Sequence, residues 1–163
     1  MRTRKKQIAV WVLLCLTLSV TLFIFSNSAK NAEQSSQQSD PVVDAVRPPA
    51  EIILPIIDVE PSRDNIVTIV RTMAHGLEFA LLGCLAFWTV WLWNRRAWVR
   101  GVVPFWGCVL IAFCDEAIQL TSPGRAFQWS DLLTDTIGAA CGILFAWLCA
   151  VSLRLLIKKR HQK

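Results

Sequence analysis

Residues 8–25, IAVWVLLCLTLSVTLFIF, run for 18 positions without a charged side chain. At 1.5 Å per residue a helix of that length approaches the ~30 Å hydrocarbon core of a bilayer. Three more apolar runs lie further along the chain, near Ile66–Trp93, Gly101–Leu120 and Asp131–Ile157. A soluble domain spreads its charge along surface helices and strands; here charge is confined to short blocks between long runs nearly free of it. The reading is an all-α integral membrane four-helix bundle. Composition agrees: 54% of the 163 residues are hydrophobic, there are 8 Trp and no Tyr, and mean hydropathy is +0.44. The net charge of +5 arises beside the apolar runs, which points to membrane orientation and away from nucleic acid.

The first run comes after Arg2, Arg4, Lys5 and Lys6. Its apolar core is longer than the ~7–15 residues of a cleaved signal, and Asn27 stands where such a cleavage site needs a small residue. Residues 1–26 therefore read as a retained N-terminal transmembrane helix. Residues 27–65 change character: SNSAKNAEQSSQQSD is polar, and Pro41, Pro48, Pro49, Pro55 and Pro61 punctuate the remainder of the segment. This predicts a flexible extracytoplasmic loop. Within it, IILPII (residues 52–57) is too short to span and reads either as an interfacial or re-entrant piece or as simple loop packing. Residues 66–157 form a three-helix membrane core, and 158–163 a basic cytoplasmic tail. The connection 94–100 is short and basic. Ser122-Pro123-Gly124 marks a tight turn between the last two spans.

Alternating four spans puts Arg2, Arg4, Lys5, Lys6, Arg95, Arg96, Arg100, Arg154, Lys158, Lys159, Arg160 and Lys163 on one side. Only Lys30, Arg47, Arg63, Arg71 and Arg125 fall on the other. The positive-inside rule makes the first side cytoplasmic, with both termini there. Every acidic residue lies on or near the opposite side. Trp88, Trp91, Trp93 and Trp98 crowd the inner boundary as an aromatic belt would. The six cysteines all fall inside apolar runs with no C-x-x-C pair, and read as small hydrophobic filler.

Charged groups inside a span cost ~2.5–3.5 kcal/mol each on insertion scales, so each one needs a reason. Arg71, His75 and Glu78 follow i, i+4, i+7 spacing on one face of the second span. Asp115 and Glu116 sit within a turn of Gln119 on the third, and Asp131 and Asp135 begin the fourth. Counting at 1.5 Å per residue, His75, Glu116 and Asp135 each lie about 6 Å below the outer ends and Glu78 about 10 Å below. Arg125, in the outer turn, is placed to reach the carboxylates. Taken one at a time, such residues more often snorkel, cap a helix (Ser130 is a candidate N-cap) or clamp neighbours. The set His75, Glu78, Asp115, Glu116, Arg125, Asp131 and Asp135, converging from three helices, reads as one site. Below it, Gly138-x-x-x-Gly142, extended by Ala146, suits close helix approach. Phe127 and Trp129 read as interfacial anchors.

The strings RTMAHGLEFALLG (residues 71–83) and DEAIQLTSPGRAFQWSDLLTDTIGAACG (residues 115–142) resemble the VanZ-like family of small bacterial membrane proteins. The resemblance rests on Arg71, His75, Glu78 and Phe79, then Asp115, Glu116, Gln119, Pro123, Gly124, Arg125, Asp131, Asp135 and Gly138; FIFSNS also matches the family's first-helix ending. Phe79 stands where the family often has Tyr, and Gly76 where an aromatic is common. The resemblance implies a multi-pass protein of the bacterial cell membrane, in a family named for a member associated with resistance to the glycopeptide teicoplanin. It brings no settled biochemical activity.

The binding set is thus Arg71, His75, Glu78, Asp115, Glu116, Gln119, Arg125, Asp131 and Asp135. The leading expectation is an outward site for an envelope lipid, a cell-wall precursor or a lipophilic glycopeptide. The alternative is a membrane enzyme acting on a lipid-linked head group, with His75 as general base and Glu78, Asp115, Glu116 or Asp135 as acid candidates. No cofactor is required; a hard divalent cation, Mg²⁺ or Ca²⁺, suits the carboxylates with His75, but no residue is assigned as a metal ligand. Transport is disfavoured for a four-span monomer with no deeper polar set, and a homo-oligomer is compatible with the pattern.

Overall fold

The computed structural model describes residues 2–94 and 96–160, so Arg95 and Lys163 of the basic count lie outside the described residues. All regular structure among the described residues is helical: α1 (Arg2–Ser28), α2 (Ala32–Ile53), a 3-10 turn (Leu54–Ile57), α3 (Arg63–Trp93), α4 (Ala97–Gln119) and α5 (Trp129–Arg160). Four of these, α1, α3, α4 and α5, are long and apolar enough to cross a membrane, matching the four runs. At 1.5 Å per residue, the 32 residues of α5 extend about 48 Å, well beyond the hydrocarbon core. Lys158, Lys159 and Arg160 form its last turn, where cations complement the helix dipole. Residues 158–160 of the expected basic tail thus continue α5, and 161–163 lie outside the described residues.

The bundle is organised around α3 and α5, which share its largest helix–helix interface. Small residues on both make this contact. A Cβ placed on Gly138 would strike the backbone carbonyl of Gly76; one on Gly142 would strike that of Ala80; one on Gly83 would strike that of Ala139. Close backbone approach of this kind is how small residues drive helix association where lipid removes the hydrophobic incentive. Ile24, Phe79, Leu82, Cys108, Ala112 and Ala139 form one buried apolar layer, joining all four spans. Phe87, Ala146 and Ala150 form a second, flanked by Trp88 and Trp91. Large side chains such as Leu22, Leu77, Leu110 and Phe145 stay exposed around the outside, as a lipid-facing wall requires. Cys15, Cys114 and Cys141 lie on this wall, Cys108 is buried, and all six cysteines are free.

The 27–65 segment is not a flexible loop: it folds into α2 and the 3-10 turn. Asn31 starts α2 with a capping box, its side chain accepting from the Gln34 N–H at 2.8 Å. Pro41, Pro48 and Pro49 lie inside the helix, where each removes a backbone donor. Tertiary contact offsets that loss. Val43 and Leu54 bury against Ile66 of α3, with Val46, Ala50, Val67 and Val70 around them. Arg63 of α3 adds an ion pair to Asp40 at 2.8 Å. Of IILPII, only Leu54 is buried; Ile52, Ile53, Ile56 and Ile57 are all exposed.

Two smaller expectations change. Trp93 and Trp98 are exposed as a belt needs, but Trp88 and Trp91 pack inward beside Phe87. Helix α5 begins at Trp129, so Ser130 lies in its first turn and is not its N-cap. The carbonyl receiving the first α5 N–H groups, from Asp131 and Leu132, belongs to Gln128.

Candidate functional site

Three fully buried carboxylates, Asp115, Glu116 and Asp135, meet at one end of the bundle. Their placement results from the seam. Packing Gly138 onto Gly76 brings the α5 turn carrying Asp135 level with the α3 turn carrying His75, and α4 closes the third side. His75 Nδ1 lies 3.8 Å from Asp135 Oδ1. Ligand-type atoms of His75, Asp115 and Asp135 all fall within 4.8 Å of one another. Depth along the spans groups Glu116 with His75 and Asp135; in the fold, Asp115 takes that place. Adjacent helical residues point about 100° apart, so only one of the pair can face His75. Glu116 turns instead toward the connection before α5, where its Oε2 accepts the backbone N–H of Gln128 at 2.9 Å.

Gln119, also buried, donates from Nε2 to Asp115 Oδ2 at 3.2 Å. That bond holds the carboxylate in place, and the buried Ser28 side chain lies beside it. Several buried polar atoms have no hydrogen-bond partner among the described residues: His75 Nδ1, Glu78 Oε2, Glu116 Oε1, both oxygens of Asp135, and Nε and Nη1 of Arg125. A buried polar group without a partner costs a few kcal/mol, and a charge costs more. Native proteins keep few such groups, so this concentration is the defining property of the cluster.

Arg125 is aimed by the turn the sequence indicated. Its N–H donates to Ser122 C=O at 3.2 Å, with Pro123 and Gly124 between, and Gly124 adopts φ 78°. This is the left-handed residue that a type II turn places third. Burial and the neighbouring Arg71 both pull the Arg125 guanidinium below its ordinary value, although an Arg stays charged near neutrality. Arg71 and Asp131 sit at the rim, partly exposed, close enough for their charges to be felt at His75.

The site is larger than three helices. From the end of α1, Asn27 donates to Glu78 Oε1 at 3.0 Å, and Lys30 donates to Asn27 Oδ1 at 2.9 Å. Ser28 is fully buried, and its carbonyl accepts from Ser122 Oγ at 3.2 Å. Glu78 is thus tied to α1 through Asn27, while its charge still acts on Asp135. Reading the residues by span misses Asn27, Ser28, Lys30 and Ser122. The FIFSNS ending is the one available signal for Asn27 and Ser28.

A VanZ/LLP1 family model matches residues 10–150. The chain belongs to the VanZ-like family. The match covers all four spans, so the whole cluster lies inside the VanZ-like region. No curated protein and no solved structure matches the chain. Phe79, where the family often carries a phenol, is buried in the apolar layer beneath the cluster. Gly76, the other departure from the VanZ-like pattern, is the residue on which Gly138 docks. A groove of about 690 Å³ between α1, α3 and α4 of this VanZ-like bundle lies elsewhere. Its walls are apolar, including Val10, Leu14, Leu82, Val103 and Ile111, so it does not house the polar chemistry.

Proposed function

We propose that this VanZ-like protein binds the anionic head group of an envelope lipid or lipid-linked cell-wall precursor at the cluster of Arg125, His75, Asp115, Glu116 and Asp135. The site faces away from the cytoplasm, and by engaging such a ligand the protein lowers susceptibility to a lipophilic glycopeptide of the teicoplanin type. The basic count, which puts both termini in the cytoplasm of a bacterial cell, supports the orientation. One observation carries the binding reading. Arg125 is half-buried with two N–H-bearing nitrogens unpartnered and a second guanidinium, Arg71, nearby. A guanidinium fork held short of partners is suited to bidentate phosphate or carboxylate recognition. An incoming anion would relieve the repulsion between the two arginines.

The test uses the full chain purified in detergent, with unfolding temperature read in added dioleoyl phosphatidic acid or phosphatidylcholine. Phosphatidic acid is expected to stabilise the wild type more, and Arg125→Ala to abolish the difference. Equal stabilisation by both lipids, or a difference that survives in Arg125→Ala, refutes the head-group reading. In a susceptible host, the wild type should raise the inhibitory concentration of teicoplanin over an empty vector and Arg125→Ala should not. A wild type equal to the vector removes the glycopeptide part.

A further inference from the structure

We propose that His75, Asp115 and Asp135 form a divalent transition-metal site, of the kind that holds Zn²⁺ or Mn²⁺, at the junction of α3, α4 and α5. The first ground is geometric. One nitrogen and two carboxylate groups, each from a different helix, offer atoms within 4.8 Å of one another. Ligand atoms about 2.1 Å from a single ion sit about 3.4 Å apart in a tetrahedral arrangement. Metal binding would draw the His75 and Asp side chains together by side-chain rotation to close that gap.

The second ground is independent of spacing. Asp115 and Asp135 are completely buried, and His75 Nδ1 and both Asp135 oxygens lack a hydrogen-bond partner among the described residues. Among the described residues, no Lys or Arg forms an ion pair with either Asp; the one ionisable partner of Asp135 is His75. Two buried carboxylates with no Lys or Arg in direct ion-pair contact are unfavourable unless a cation neutralises them. Arg125 and Arg71 are near but do not pair with them. A divalent ion satisfies the charge and the lone pairs together.

The third ground is the surrounding support. Gln119 holds the far oxygen of Asp115 at 3.2 Å, leaving Oδ1 turned to the site, as outer residues commonly orient a metal-binding carboxylate. An imidazole among the ligands favours Zn²⁺ or Mn²⁺ over the all-oxygen shells that Mg²⁺ and Ca²⁺ prefer. Three protein ligands also leave coordination positions open. The Arg125 guanidinium is near enough for its charge to act on His75 and Asp115, so a phosphate- or carboxylate-bearing molecule held there could reach the ion. The metal site does not depend on the head-group reading.

The test loads the metal alone, Zn²⁺ and separately Mn²⁺, onto chelator-stripped full-length protein in detergent. Bound metal is counted by elemental analysis after dialysis. About one ion per chain is expected, with affinity falling at least about tenfold in Asp135→Asn and in His75→Ala. Asp58→Asn, at a distant 3-10 turn, should bind as the wild type does. Because six cysteines offer a rival zinc shell, X-ray absorption at the zinc edge of the wild type decides between them, even where a variant does not fold. A shell of nitrogen and oxygen without sulfur supports the site. Negligible binding of both ions, a sulfur-containing shell, or unchanged affinity in folded Asp135→Asn overturns it. Protein that takes up the metal yet fails to distinguish phosphatidic acid from phosphatidylcholine keeps the metal site and loses the head-group reading; the reverse pattern does the opposite.

Discussion

The two ends of the bundle treat charge in opposite ways. At the end where α1 begins and α5 finishes, Trp91 lies between two guanidiniums, Arg100 and Arg154, each 4.1 Å from its ring. Arg100 also donates to the Asn94 carbonyl at 2.8 Å, and Lys158, Lys159 and Arg160 are exposed. Each of these charges has a ring, a carbonyl or open surroundings. At the other end, Asp115, Glu116 and Asp135 are fully buried and several of their oxygens have no partner. Anchors are cheap to solvate, and long side chains snorkel to reach water. A buried, under-satisfied cluster does not stabilise the fold that contains it. The first arrangement suits an anchor at a membrane surface; the second is the one proposed above to bind a ligand.

An all-or-none labelling experiment breaks or sharpens the contrast first. With the six native cysteines replaced by Ala, Gln128→Cys should react with an impermeant maleimide on intact cells, and Trp98→Cys should react only after the membrane is opened. Labelling of Trp98→Cys alone on intact cells would invert the orientation. Next in size is the seam that carries the cluster. Gly142→Leu should cost about 3 kcal/mol or more, because the added side chain meets the Ala80 carbonyl and the neighbouring helix cannot yield. Thermal unfolding in detergent reads this.

Substitutions at the turn and at the basic end should have smaller effects. Gly124→Ala forces a Cβ into φ 78° and should cost about 1 kcal/mol. By displacing Arg125 it should also weaken discrimination of phosphatidic acid. At the opposite end, Arg154→Gln removes one of two stacked cations and should cost less than about 1 kcal/mol, with lipid discrimination intact. If Arg154→Gln disturbed lipid discrimination as much as Gly124→Ala does, the functional division between the ends would fail.

Hydropathy made the four spans legible because length and apolarity are imposed directly by the bilayer. The Ser122-Pro123-Gly124 turn and the α5 half of the seam were legible for similarly local reasons. The α3 half was not: Gly76 looked like a departure from a family pattern, and only its contact with Gly138 explains it. Helix α2 was hidden because Pro41, Pro48 and Pro49 argue against a helix locally, while the burial of Val43 and Leu54 that sustains it is tertiary. The choice between Asp115 and Glu116 turns on helix rotation, which no count of depth resolves. Asn27 and Lys30 joined the cluster through α1, whose side chains carry no charge over its apolar length to hint at an inward face.

The central claim is that the acidic end is kept for binding at the expense of stability. The sign of the stability change in Asp135→Asn tests it most directly, measured by thermal unfolding of the purified chain in chelator near neutral pH. Removing a buried carboxylate that lacks a protein hydrogen bond should raise stability, by about 1–2 kcal/mol. A variant clearly less stable than the wild type under the same conditions would make Asp135 a structural clamp and contradict the claim.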